Sequence, residues 1–123
     1  MSSIHRLLSP RRANEATDSP LSEADKQRMI AAAAIKLGEL FDILQVDHLN
    51  DHNTRETPER VATMYVEETM RGRFSAPPTL TGFDNIHNFD QLIVSGPIDV
   101  RSTCAHHLMP IYGEAFIGVL PSR

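Results

Sequence analysis

Apolar residues in this chain change their period once. From Ile30 through Ala33, Leu37, Leu40, Phe41 and Leu44 they recur at steps of three and four, the spacing of one buried helical face. From Phe89 onward the chain turns β-prone, and Ile98, Val100 and Ser102 alternate with Asp99, Arg101 and Thr103. Helices followed by strands predict an α+β architecture, and no internal repeat or heptad interrupts the order. The strands are few. Two or three of them leave at least one sheet edge unpaired, and an exposed edge invites pairing with another chain. The fold expected from the residues alone is unfinished or obligately oligomeric.

The local signals give approximate bounds. Residues 1–20 show no apolar period after Leu7-Leu8 and carry Pro10, Arg11, Arg12, Asn14, Asp18 and Pro20, so they are expected to form a disordered tail before a domain over 21–123. Ser22 is a suitable N-cap, with Glu23 and Asp25 placing negative charge in the first turn of a helix that should end near Val46. Asp47 to Asn53 is a polar connection, within which His48 and His52 read as solvated. Thr57-Pro58 should start a second helix, with threonine as N-cap and proline at the first helical position. Val61, Met64, Tyr65 and Glu68 would share its face, and Gly72 would stop it. Residues 73–88, with Pro77-Pro78 and Gly82, read as a loop. A strand over 89–95 should then meet a turn or bulge at Gly96-Pro97, a second extended segment over 98–103, and a third over 112–120 closed by Pro121.

Size and charge narrow the function classes. A chain of 123 residues suits one small domain. Its net charge of −4 argues against nucleic-acid binding carried by charge. No apolar run approaches the roughly 20 residues that span a bilayer, and Met1 to Leu8 lacks the apolar core of a signal peptide. The single cysteine excludes an internal disulfide and suits a reducing compartment, so a cytoplasmic protein without nucleic-acid or membrane partners is expected. Lys26 and Lys36 are the only lysines, and arginine's planar fork suits phosphate.

The chemistry concentrates in Ser102-Thr103-Cys104-Ala105-His106-His107-Leu108-Met109-Pro110. A turn there folds positions i and i+3 to one side, so Cys104 and His107 could share a metal. Thiolate with imidazole favours zinc over magnesium or calcium. His106 would then stand beside the ion without binding it, where a general acid or base belongs. The plainer reading keeps Cys104 as a small buried apolar residue. His5 and His87 read as surface residues.

Two long stretches resemble the GTP cyclohydrolase I family. One is Ser102 to His107 followed by Pro110-Ile111-Tyr112-Gly113-Glu114-Ala115-Phe116-Ile117-Gly118-Val119-Leu120-Pro121, similar to the family's zinc-site strand pair. The other is Glu56-Thr57-Pro58-Glu59-Arg60-Val61-Ala62-Thr63-Met64-Tyr65-Val66-Glu67-Glu68, similar to its second-helix motif. The resemblance implies that Cys104 and His107 bind zinc (Zn2+) and that His106 donates and accepts protons. It implies that Arg60 holds the substrate triphosphate, often across a subunit boundary, through bidentate contacts. Without it, Arg60 would read as a solvated helix arginine.

The implied substrate is GTP and the implied reaction hydrolytic. Water activated at zinc attacks C8, formate leaves, and rearrangement gives 7,8-dihydroneopterin triphosphate, the first committed pterin of folate synthesis. The implied fold is the tunnelling fold (T-fold), a homo-oligomer whose subunits join antiparallel sheets into a barrel with helices outside. That would complete the open edge.

The chain departs from the family pattern at three places. Ala105 stands where the family usually has glutamate, and Thr63 where it commonly has lysine. The third difference is the family's C-terminal half, which carries a second cysteine ligand, a basic phosphate segment and a glutamate that anchors guanine. These 123 residues are therefore expected to be the N-terminal part of such an enzyme, with little activity alone. Two other readings remain: a non-catalytic subunit that pairs with a full-length or complementary partner, and a tunnelling-fold protein with Cys104 as nucleophile, as in the related nitrile reductases.

Overall fold

All helices of the described residues precede Ala76 and both strands follow it, in two separate units of a computed structural model that describes residues 11–121. Helices followed by an antiparallel sheet make the chain α+β, as its change of period predicts. Residues 1–10, with half of the expected tail and His5, lie outside the described residues.

Helix α1 spans Glu23–Ile43. Ser22 is extended, and its hydroxyl oxygen accepts the Asp25 N–H at 3.1 Å, satisfying one of the first-turn donors that a helix leaves unpaired. The helix stops sooner than Val46 because Gln45 turns left-handed at φ 58°. Gln45 N–H then reaches the Asp42 carbonyl at 3.1 Å and Val46 N–H the Phe41 carbonyl at 2.9 Å, the double bond of a Schellman cap.

The polar connection is more ordered than its composition suggests. Asp47 accepts the N–H groups of Leu49 and Asn50 at 3.0 and 2.9 Å, and these bonds hold its carboxyl below the usual carboxylate range. His48 is not a solvated loop residue. Its side chain is 15% exposed, and its Nε2 lies 3.1 Å from Asp42 Oδ1. The ring stands edge-on to Phe41 with centroids 6.0 Å apart. It lies over Gly38, where a Cβ would come 3.0 Å from His48 Cε1, so glycine's missing side chain makes room for the imidazole.

Helix α2 covers Thr57–Thr63 and widens without a break into a π-helical segment over Met64–Thr69, followed by the short helix α3 over Arg71–Phe74. Two boundary expectations need correction. Thr57 is already helical, and Glu56 takes the N-cap position without a side-chain cap bond. Gly72 lies within α3, which continues for two more residues and carries Phe74 into the core. The buried face also differs from the expected one: Ala62, Val66 and Thr69 are buried, whereas Val61, Met64 and Tyr65 are half-buried and Glu68 is exposed. Small Ala62, fully enclosed, lets α2 approach α1, and the wide turn that follows shifts the later residues off a strict 3.6 period.

Ile30, Ala62, Val66 and Phe74 form the core, flanked by Leu21, Met29, Ala33, Ala34, Leu37 and Met70. Burying each of the three larger side chains contributes about 1.5–3 kcal/mol. The segment before α1 adds polar support. Thr17 N–H and hydroxyl donate to the Arg73 carbonyl at 2.8 and 2.9 Å, and Leu21 N–H donates to the Phe74 carbonyl at 2.9 Å. These bonds satisfy carbonyls that the end of α3 would otherwise leave unpaired. The Arg73 guanidinium returns to the carbonyls of Arg12 and Ala13.

In the second unit, β1 (Ile93–Thr103) and β2 (Pro110–Val119) pair antiparallel. The two extended segments expected on either side of Gly96-Pro97 are one strand. Ser95 faces Ile117 and Ile98 faces Ala115, so Gly96 and Pro97 together oppose Phe116 as a bulge. Gly96 has φ 150°, and a Cβ there would sit 2.5 Å from Phe116 Cδ1 and 3.0 Å from the Ala115 carbonyl oxygen, so only glycine fits. Val94, Val100, Ile111, Phe116 and Ile117 are exposed on this two-stranded sheet. No helix among the described residues is long and apolar enough to cross a membrane.

Candidate functional site

The register of the hairpin fixes where Cys104 falls. Thr103 pairs with Pro110 as the last rung, leaving 104–109 as the connection. Cys104 N–H donates to the Met109 carbonyl at 2.9 Å, and the Cys104 carbonyl accepts the Leu108 N–H at 2.9 Å. Leu108 closes the loop at φ 55°, a left-handed conformation that costs an apolar L-residue about 1–2 kcal/mol. Strain of this kind persists where the surrounding bonds impose it. The result is one tight turn that carries Cys104, His106 and His107.

Cys104 is half-buried, and both histidines are exposed. Backbone N–H groups of His106, then of His107, point at the Cys104 sulfur and hold its thiol below the ordinary cysteine range. Donors aimed at sulfur stabilise the thiolate, the form that binds metals and attacks electrophiles. His106 Nδ1 lies 3.8 Å from the sulfur.

The donor chemistry of this turn fits zinc, since a stabilised thiolate and an imidazole are both usual ligands. The number of donors does not complete a site. Among the described residues, no group of three or more His, Cys, Asp or Glu side chains comes together to hold a metal. A closed zinc set would need a further donor from beyond these residues.

Arg60 lies on α2 in the helical unit, with its side chain 67% exposed. It is ion-paired with Glu56, one turn earlier. Glu56, Glu59, Arg60, Thr63 and Glu68 line a groove of about 390 Å3. Sequence reasoning selected Arg60 but missed Glu56, although a carboxylate four residues before a cation on a helix is a readable pairing signal. It also missed the Gly38–His48 contact, for which the sequence offers no signal because the two residues meet only after the chain reverses. His52 makes a long contact with Asp51 at 3.6 Å, and exposed His87 stands edge-on to Phe89.

The hairpin turn and the second-helix motif both fall inside one family match. The model of the GTP cyclohydrolase I family matches residues 22–123. The chain belongs to the GTP cyclohydrolase I family. It is 31% identical over 119 residues to a GTP cyclohydrolase 1 of Enterobacter sp. (strain 638), covering 96% of this chain and 53% of that protein. GTP cyclohydrolase 1 proteins of Klebsiella pneumoniae (strain 342) and Salmonella newport (strain SL254) are each 30% identical over the same length and shares. The chain thus spans about half the length of the curated relatives it matches.

Proposed function

We propose that this chain serves the GTP cyclohydrolase I reaction, hydrolytic opening of the imidazole ring of GTP to formate and 7,8-dihydroneopterin triphosphate, in pterin and folate synthesis. The observation that carries this reading is the hairpin turn that sets His106 Nδ1 3.8 Å from the Cys104 sulfur, within the family match. Cys104 and His107 would hold zinc, which when bound supplies the Lewis acidity that makes water nucleophilic at neutral pH. His106, exposed next to the sulfur, would carry protons to and from the opening ring, because an imidazole both accepts and donates near neutrality. Arg60 would hold the triphosphate through its forked donors.

The exposed apolar side chains of the hairpin support a tunnelling fold completed by oligomerisation, in which neighbouring sheets would cover Val94, Val100, Ile111 and Phe116. A cytoplasmic setting accords with the single free cysteine. The same two-stranded sheet, with its apolar side chains exposed, also favours a second reading. In it the chain is a non-catalytic subunit that pairs with a partner carrying the rest of the domain.

Formate release from GTP separates the possibilities. The purified chain alone should release little, because its described residues bring together no third zinc donor. Co-expression with a polypeptide supplying the remaining half should give release that His106→Ala abolishes. Release at the rate of a complete enzyme by the 123-residue chain alone would refute the need for a partner. An assembled complex that releases none supports the non-catalytic subunit.

A further inference from the structure

Glu56 is the N-cap of α2, yet its side chain makes no cap hydrogen bond. The carboxylate turns instead to the Arg60 guanidinium, four residues on. A carboxylate N-terminal to a cation at this spacing is the favoured orientation for a helical pair. Among the five residues lining the groove beside the pair, Arg60 alone is cationic, while Glu59 and Glu68 add negative charge and Thr63 adds none.

We propose that Glu56 is a built-in competitor for Arg60, occupying the fork that a polyphosphate must take and thereby setting the affinity of this groove for anions. The inference rests on the proposed role of Arg60 in triphosphate binding. Carboxylate and phosphate oxygens meet a guanidinium through the same bidentate geometry, so the two cannot use one edge of the fork together. Binding through the edge that includes Nη2, the nitrogen Glu56 contacts, then requires the carboxylate to leave, and the apparent affinity of that edge falls by the fraction of time it is free. An exposed helical pair of this type is weak, so the penalty is about two- to three-fold rather than a block. Glu56 is in this sense a positioning residue. It holds the guanidinium at the groove and releases it to a stronger anion.

The test is titration of the full chain with inorganic triphosphate, followed by the Arg60 Nε–H resonance and by calorimetry. Glu56→Gln should tighten binding about two- to three-fold. Glu59→Gln removes the same charge from the same groove and should change affinity less. In an Arg60→Gln background, Glu56→Gln should give no gain, and circular dichroism should show the helices intact in every variant. Equal gains from Glu56→Gln and Glu59→Gln, or a gain that persists without Arg60, would mean a general field effect and overturn the competitor role. If Arg60→Gln leaves triphosphate binding unchanged, the reading of Arg60 fails and the competitor role fails with it. If Arg60→Gln weakens binding while Glu56→Gln matches wild type, only the competitor role fails.

Discussion

His106 Nδ1 stands 3.8 Å from the Cys104 sulfur, in a turn whose backbone N–H groups already point at that sulfur. The arrangement favours thiolate before any metal arrives. Because the folded-state pKa lies below the unfolded one, the thiolate contributes stability above the ordinary cysteine value, and that contribution is lost as pH falls through the folded value. Iodoacetamide should therefore alkylate native Cys104 with a pH midpoint below that of the same chain in urea. Coincident midpoints would show that the turn exerts no such effect.

Asp25 gives the matching case for a carboxylate. The Ser22 hydroxyl holds its carboxyl below the usual range, with Arg28 adding to the effect. The sign is that of a depressed acid. Its stabilisation is present above the ordinary carboxylate pKa of about 4 and is lost as pH falls below it. Ser22→Ala should lower the stability of the helical unit at pH 7 by about 1 kcal/mol and flatten its decline toward pH 3. A variant with the wild-type acid profile would remove Ser22 as the cause.

Gly38 and His48 should be energetically coupled. Glycine in a helix costs about 1 kcal/mol relative to alanine, so Gly38→Ala would ordinarily stabilise α1. Here the new methyl meets His48 Cε1 at 3.0 Å, and the ring is held by Asp42 and Phe41. Gly38→Ala should therefore give no gain in wild type and a gain of about 1 kcal/mol in a His48→Ala background. Urea unfolding of the four variants measures the coupling, and simple additivity would contradict it.

Gln45 occupies the left-handed position of the α1 C-cap. Glycine adopts that conformation without steric cost, so Gln45→Gly should raise stability by up to about 1 kcal/mol. Thermal unfolding reads this as a higher midpoint. A lowered midpoint would mean that the glutamine side chain makes a contribution larger than the backbone strain.

The helices and the hairpin were legible because each rests on local information. Ser22 marks its cap, and Gly96-Pro97 marks the bulge. The apolar spacing marks the face on the core from Ile30 to Leu37, but Leu40 and Leu44, expected on the same buried face, are exposed, because the core contacts only the earlier turns of α1. The misses have a common physical origin in contacts between distant parts of the chain. Small Ala62 is buried because α1 crosses it, Phe74 prolongs α3 past Gly72 because the core accepts its ring, and His48 is enclosed because Gly38 leaves room. None of these follows from period or composition. At the site, spacing brought Cys104, His106 and His107 into one turn, but it could not reveal which ring lies beside the sulfur, nor that Glu56 already engages Arg60.

In the proposed site Cys104 and His107 hold zinc while His106 handles protons. The most direct measurement is zinc affinity of the folded chain, by competition with a chromogenic chelator, for wild type, Cys104→Ser, His106→Ala and His107→Ala. Cys104→Ser and His107→Ala should each lower affinity by at least about ten-fold, the loss that removing even an outer-shell partner causes, while His106→Ala stays near wild type. Loss of zinc in His106→Ala with retention in His107→Ala would contradict this division of roles and reassign the ligand to the ring that lies beside the sulfur.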